Sequence, residues 1–209
     1  MTEVLHDCLI EFDAENHVYY ADGNRVISVT QVLDRVGAVE SDFFTEAHRI
    51  RGTLVHLLMH MNNTGVVPNM KLDGYPKGAV DEAMPYFDQW KRFKKQVRLE
   101  IIAAEETVFD PLHRFAGRID VRGRIGGEEW ILDAKSNVSG YLPAWTKWQT
   151  AGYAHAQNPV RPARRACVIL TPDRFIGPIE FPPSEYIESR DDFLSMVRAV
   201  RAVETLRSE

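Results

Sequence analysis

Cysteine is nearly missing from this chain: Cys8 and Cys167 are the only two among 209 residues. They lie far apart and neither belongs to a C-x-x-C, which argues against a structural disulfide and against a thiolate metal site. Long apolar runs are missing too. No stretch approaches the length of a membrane span, and the N-terminus has no basic segment followed by an apolar one. The expectation is a cytoplasmic protein that does not engage a membrane. Positive charge is not in surplus either. The net charge of −5 argues against a protein that coats nucleic acid without selectivity. There is no internal repeat and no low-complexity tract. Hydrophobic residues at 44% and charged residues at 26% sit at globular averages, so disorder is not indicated. The length suits one domain, 1–209, with a sizeable core.

What the chain does have is concentrated in its middle. Phe115 to Ile125 alternates strictly, with Phe115, Gly117, Ile119, Val121, Gly123 and Ile125 on one face. Ala116, Arg118, Asp120, Arg122 and Arg124 fall on the other. Gly126-Gly127 then supplies the two positive-φ residues of a tight hairpin turn. That turn sets Ile125 opposite Glu128, Gly123 opposite Trp130, Val121 opposite Leu132 and Ile119 opposite Ala134. By the same register Asp120 lies opposite Asp133, with Cβ atoms roughly 4.5–5.5 Å apart, and Lys135 lies opposite Arg118. Two facing carboxylates repel, and one would have its pKa raised unless a cation sat between them. A divalent metal is the economical answer, since Mg²⁺ takes one or two carboxylates together with water and phosphate oxygens. Lys135, two residues beyond Asp133, projects from the same face and could position a water or stabilise charge building on a phosphate.

Around this hairpin the pattern reads as α/β. Leu9–Phe12 and Val18–Ala21 suggest a short hairpin, and Ser28 with Gln31 suggests a capping box before a two-turn helix that stops at Gly37. A longer helix is expected from Phe43 to about Met61. Residues 62–78 read as a loop that could serve as a flap, followed by a helix over Ala79–Val97 that Pro85 kinks or restarts. Leu99–Phe109 reads as a strand, Trp145–Gln157 as a helix, and Ala166–Thr171 as an apolar strand, which implies a parallel crossover. Phe175–Phe181 adds an edge strand, and Asp191 or Asp192 is expected to cap a last helix to about Leu206. The expected layout is a mostly helical 1–97, a sheet core over 98–181 and a C-terminal helix over 182–209.

Several ordered motifs together resemble the PD-(D/E)xK nuclease superfamily, in its RecB-like, lambda-exonuclease-like and Cas4-like branch. They are Arg51-Gly52-Thr53 leading to His56, Glu106, Gly117 to Asp120, Asp133 to Lys135, and Gln149 with Tyr153. Ser28 to Leu33 also resembles the N-terminal segment of that branch. The resemblance covers roughly residues 10–170. It implies a restriction-endonuclease-like mixed central sheet flanked by helices, with an N-terminal helical elaboration. It also implies a phosphodiester hydrolase acting on DNA, of exonuclease type, in a bacterial or phage-infected cell.

The site expected on this basis has Asp120, Asp133 and Lys135 at its centre. His56 and the Ala134 carbonyl join the two aspartates as metal ligands. Glu106 is selected over Glu105 by the resemblance, because alternation in a strand lets only one of them face the site. Gln149 and Tyr153, on one helix face, orient the others or contact phosphate. One or two Mg²⁺ or Mn²⁺ ions are expected, with imidazole favouring Mn²⁺ somewhat. The four cysteines of Cas4-like relatives are not present, so no iron–sulfur cluster is expected. Arg51, Arg118, Arg122 and Arg124 are candidate phosphate contacts. DNA is the expected partner, with a single-strand annealing or recombination protein as a second one and a homo-oligomer allowed. Two other readings stand beside this one: a nuclease-fold protein that binds DNA or a partner without cutting, and a zinc enzyme using His56 with His60. The latter lacks the Glu after the first His of a zinc-protease motif.

Overall fold

The computed structural model describes residues 2–13, 16–39, 45–66 and 75–208. The chain opens with an antiparallel meander of β1 (Thr2–Leu5), β2 (Cys8–Asp13), β3 (Val18–Ala21) and β4 (Asn24–Ser28). The central hairpin is the one legible in the sequence. β1 and β4 are not, since β1 is half-exposed along its length and β4 begins with two exposed polar residues.

Ser28 closes β4 and caps α1 (Val29–Arg35). Its hydroxyl accepts from the Gln31 N–H at 3.1 Å, and the Gln31 side chain accepts from the Ser28 N–H at 3.1 Å, a reciprocal capping box. α2 (Glu46–Thr64) is capped by the Thr45 side chain and ends at Gly65, whose φ of 71° lies in the left-handed region. The expected start at Phe43 and residues 67–74 of the expected flap lie outside the described residues, and 62–64 belong to the end of α2 rather than to a loop. α3 (Ala79–Val97) continues past Pro85, which forgoes one bond to the Asp81 carbonyl without ending the helix.

β5 (Glu100–Asp110), β6 (Phe115–Ile125) and β7 (Glu128–Ser136) then form the centre of a mixed sheet. α4 (Thr146–Gln157) carries the chain to β8 (Arg164–Leu170), which pairs parallel with β7 from Trp130–Arg164 to Ser136–Leu170. β9 (Phe175–Phe181) pairs antiparallel with β8. α5 (Tyr186–Ser208) closes the chain. It starts earlier than its acidic pair suggests. Asp191 and Asp192 lie inside it, and Asp192 accepts a hydrogen bond from the Trp148 indole at 3.0 Å rather than capping the helix.

The order across the sheet is β1-β2-β3-β4-β6-β7-β8-β9, with β5 on the other edge of β6. β5 pairs along nearly all of β6. The opposite edge of β6 is shared: β4 pairs parallel at Phe115 and Ala116, and β7 pairs antiparallel from Val121 onward. Residues 117–120 therefore face a gap between β4 and β7. Helices cover both faces. α1, α4 and α5 contribute Val29, Leu33, Ala151 and Phe193 to one core with Phe115, Ile119 and Ile131. α2 and α3 contribute Leu54, Met59, Trp90 and Phe93 to a second core with Val121, Leu132 and Val168. No helix among the described residues is long and apolar enough to cross a membrane.

Candidate active site

The hairpin register is observed as predicted at Ile125–Glu128, Gly123–Trp130 and Val121–Leu132. There the ladder stops, one pair short of Asp120 and Asp133. Beyond Leu132 the strand β7 follows its parallel partner β8 instead, and β6 stays with β5. The alternation also changes at this point: Ile119 packs with α1, α4 and α5, whereas Val121 packs with α2 and α3. Across from the break, Glu105 on β5 takes a positive φ of 54°. The result is a slot between the strands, and Asp120 fills it. Its Oδ2 accepts a hydrogen bond from the Ala134 N–H at 2.8 Å, which replaces the missing ladder bond.

α2 brings His56 to the same slot. The imidazole Nδ1 lies 3.4 Å from Asp120 Oδ1 and 3.7 Å from Glu105 Oε1, and Nε2 donates to the Ala134 carbonyl at 3.1 Å. One ring thus sits among three oxygens from three elements. Burial opposes a charge on His56, but the Asp120 and Glu105 carboxylates outweigh it and hold the ring's pKa well above the usual range. Burial likewise opposes the charge on Asp120, yet His56, Lys135 and the Ala134 N–H keep its carboxyl below the usual range.

Asp133 is differently placed. It is 2% exposed, and its carboxylate lies 2.9 Å from the Lys135 ammonium. Burial, reinforced by Asp120 and opposed by Lys135, pushes its carboxyl up to about 6. Cys167 on β8 adds a thiol 3.9 Å away. Lys135 donates onward to Gln149 Oε1 at 2.9 Å, and Gln149 Nε2 donates to the Tyr153 hydroxyl at 3.0 Å. Because the ammonium has only donors, it fixes which way round the Gln149 amide lies. Trp145 covers Lys135, with Nζ 4.6 Å from the ring centre. Tyr153 in turn lies on Gly117, where an added Cβ would come within 2.6 Å of the ring. A single chain of contacts therefore joins the Gly117–Asp120, Asp133–Lys135 and Gln149–Tyr153 motifs.

The structure corrects three sequence expectations and gives the rival zinc pair no support. Glu105, not Glu106, faces the slot. Glu106 grips the Arg122 guanidinium with both oxygens, at 2.7 and 2.8 Å. Strand alternation alone cannot reveal this, because the positive φ at Glu105 resets the phase. Asp133 is bonded to Lys135 rather than paired with Asp120 across a ladder, since β7 leaves β6 first. Arg118 and Arg122 do not present free guanidinium groups: Arg118 is 3.0 Å from Glu105 Oε2, and Arg122 also meets Glu129 at 3.0 Å. His60 does not join His56 in any group of metal-ligating side chains among the described residues. Arg51, with its Nε buried and without a hydrogen-bond partner, lies over the Tyr86 ring. Arg124 stands exposed opposite Glu129 on the hairpin.

His56, Glu105 and Asp120 each place a ligand atom within 4.8 Å of the others. An imidazole and two carboxylates form a donor set that fits a divalent cation with a preference for oxygen, and the Ala134 carbonyl, which accepts from the other ring nitrogen, fixes the imidazole's orientation. A second group, Asp110 with His113 and His155, joins the end of β5 to the following turn and to α4. His155 Nε2 lies 3.0 Å from Asp110 Oδ2, and the His113 N–H donates to Oδ1 at 2.6 Å. Its members are scattered over 45 positions, so no local motif announces it. Asp110 pairs with Phe115, five residues before Asp120 on β6, so the two groups are roughly 17 Å apart along the strand.

No family model matches this chain, and no curated protein does. Among solved structures, a protein from Eubacterium rectale named as an exonuclease candidate is similar, with a TM-score of 0.49 and 14% identity over 81% of this chain and 71% of its own. The protein SSO0001 is similar with a TM-score of 0.34 and 13% identity, over 80% of this chain and 84% of its own. Both likenesses are weak, and the site has to be judged on its own geometry.

Proposed function

We propose that this protein is a metal-dependent nuclease that hydrolyses phosphodiester bonds in DNA, acting from a free end. The observation that carries the proposal is the pair of facing groups at the β6–β7 slot. On one side, His56, Glu105 and Asp120 bring their ligand atoms within 4.8 Å of one another, with the Ala134 backbone bonded to both His56 and Asp120. On the other, Lys135 is braced by Asp133 and Gln149. The fold and motif order of PD-(D/E)xK nucleases agree with this arrangement.

His56, Glu105 and Asp120 would hold a divalent ion at the slot, and that ion would supply Lewis-acid stabilisation of phosphate oxygens and a water of lowered pKa. His56 would give up its proton when it takes up that ion, since only neutral imidazole ligates. Asp120 and Glu105 hold the negative charge that neutralises the ion. Asp133 holds the Lys135 ammonium in place, and Gln149 fixes its direction. The ammonium then stabilises charge as it develops on the non-bridging phosphate oxygens, an interaction stronger in the transition state than in the ground state. Burial of Asp133 and the cover of Trp145 keep bulk water from weakening it.

The test is digestion of linear and covalently closed circular DNA with Mg²⁺ and with Mn²⁺, for wild type and Lys135→Ala. The expected outcome is metal-dependent loss of the linear substrate only, with the variant slower by about 10²–10³-fold. Cutting of the circle would retain the nuclease and remove the requirement for an end. No cleavage with either metal, alongside DNA binding, would leave a binding protein on a nuclease fold.

A further inference from the structure

Three of the arginines on or beside the hairpin are already neutralised, and Arg124 stands exposed near its tip. Arg118 faces Glu105, Arg122 faces Glu106 and Glu129, and Arg164 faces Glu180. A phosphate backbone would have to break those pairs to use them. A cleft of about 580 Å³ between the C-terminal half of α3 and the β8–β9 turn is different. Arg92, Lys95 and Arg174 line it with Gln89 and Gln96, and Asp173 is its one carboxylate among the described residues. Asp173 is engaged by the Thr171 hydroxyl at 3.4 Å. None of the three cations makes an ion pair among the described residues, and all three are exposed.

The position of the cleft relative to the slot matters as much as its charge. Leu170, the last residue of β8, pairs with Ser136, which follows Lys135. The turn that carries Arg174 begins at the next residue, and Gln89 donates from α3 to the Pro172 carbonyl at 3.5 Å. The turn that borders the cleft and Lys135 thus both lie at the carboxyl end of one parallel strand pair, within roughly 20 Å of each other by strand spacing and rise. Carboxyl ends of parallel strands are where open α/β sheets take their ligands.

We propose that this cleft binds the sugar-phosphate backbone of the DNA strand beside the scissile bond, as a sequence-independent clamp. The inference rests on the nuclease reading above. Three cations without an ion pair around one carboxylate suit a polyanion, and the exposed Gln96 amide adds a neutral donor. Sequence specificity is not expected of contacts made to phosphate and sugar, which position a strand without reading its bases.

The experiment compares wild type, Arg92→Glu/Lys95→Glu and a distant control, Arg207→Glu on α5. Duplex binding is followed by fluorescence anisotropy across a salt series, cleavage kinetics on a 30-mer, and hydrolysis of bis(p-nitrophenyl) phosphate, which is too small to reach the cleft. Removing two phosphate contacts should lower the slope of log K against log salt by about 1.8. It should raise KM for the 30-mer about tenfold while kcat and the small-ester rate stay at wild-type values. The control should match wild type throughout. Unchanged slope and KM in the double variant, with wild type still cutting DNA, would overturn the clamp and leave the nuclease standing. A wild type that neither binds nor cuts DNA would overturn both. Loss of small-ester hydrolysis in the double variant would also overturn the clamp, because the defect would then lie in the slot.

Discussion

Glu105 and Glu106 are neighbours with opposite tasks. Glu105 reaches His56 and Arg118, while Glu106 closes a two-pronged ion pair on Arg122. Neutralising each should separate function from stability. Glu105→Gln removes a carboxylate from the metal group and is expected to cut kcat by about 10²-fold or more, with metal affinity falling in a Mn²⁺ titration. Glu106→Gln should leave kcat within a few-fold of wild type and lower stability by about 1–2 kcal/mol through the weakened grip on Arg122, read in a denaturant melt. Equal kinetic damage from both would place Glu106 in the slot after all. The contrast also shows what residue types can and cannot disclose. The identities of His56, Asp120, Asp133, Lys135, Gln149 and Tyr153 are all legible from motif spacing, and the structure joins them in one contact network. Which of two adjacent glutamates joins them depends on one backbone torsion, 54° at Glu105, and nothing in an E-E pair encodes that.

Among the elements, β5, its following turn and α4 are tied together at Asp110. Burial opposes the charge there, but hydrogen bonds from His155 and from the His113 backbone outweigh it and bring the carboxyl down to about 2. A carboxyl depressed below its unfolded value of about 3.9 contributes stability that is present above that value and is lost as pH falls towards 2. Asp110→Asn should therefore destabilise the protein by roughly 2 kcal/mol at neutral pH. The gap to wild type should narrow between about pH 4 and pH 2, followed by circular dichroism during acid unfolding. A constant gap across that range would mean the residue acts through packing alone. The elements themselves were readable where local chemistry fixes them: the Gly126-Gly127 turn, the Ser28–Gln31 capping box, and the apolar run that forms β8. They were less readable where tertiary partners decide. α5 begins at Tyr186, five residues before the acidic pair that suggested a cap. The hairpin ladder ends at Val121–Leu132 because β8 draws β7 away, a competition between partners far apart in sequence.

For the molecule as a whole, a divalent ion that binds only the folded slot must shift the unfolding equilibrium. At 100 times its Kd, Mn²⁺ should stabilise the protein by about 2.7 kcal/mol, a rise in Tm of roughly 5–10 °C for a chain of this size. Chelation should reverse the rise, and Asp120→Asn should abolish it. A melting curve indifferent to Mn²⁺ and Mg²⁺ would remove the metal from the site. The charge pattern is equally a property of the whole. A chain with net charge −5 meets a polyanion only where its cations are left unpaired, and sequence clusters do not say which arginines those are. Arg118 and Arg122 looked available on their strand, and the fold neutralises both.

The shared edge of β6 has a mechanical side. Only Ile27–Phe115 and Ser28–Ala116 join the N-terminal meander to the central strand by backbone pairing, whereas β5 and β7 hold that strand through many more. Under conditions that favour partial opening, the meander should detach as a unit while β5–β8 stay closed. Amide exchange would then run faster over β1–β4 than over β6 and β7. The gap beside residues 117–120 would widen with it, because β4 and β7 mark its two ends. A tether that reinforced those two pairs would make the aperture stiffer without touching a single residue that lines it.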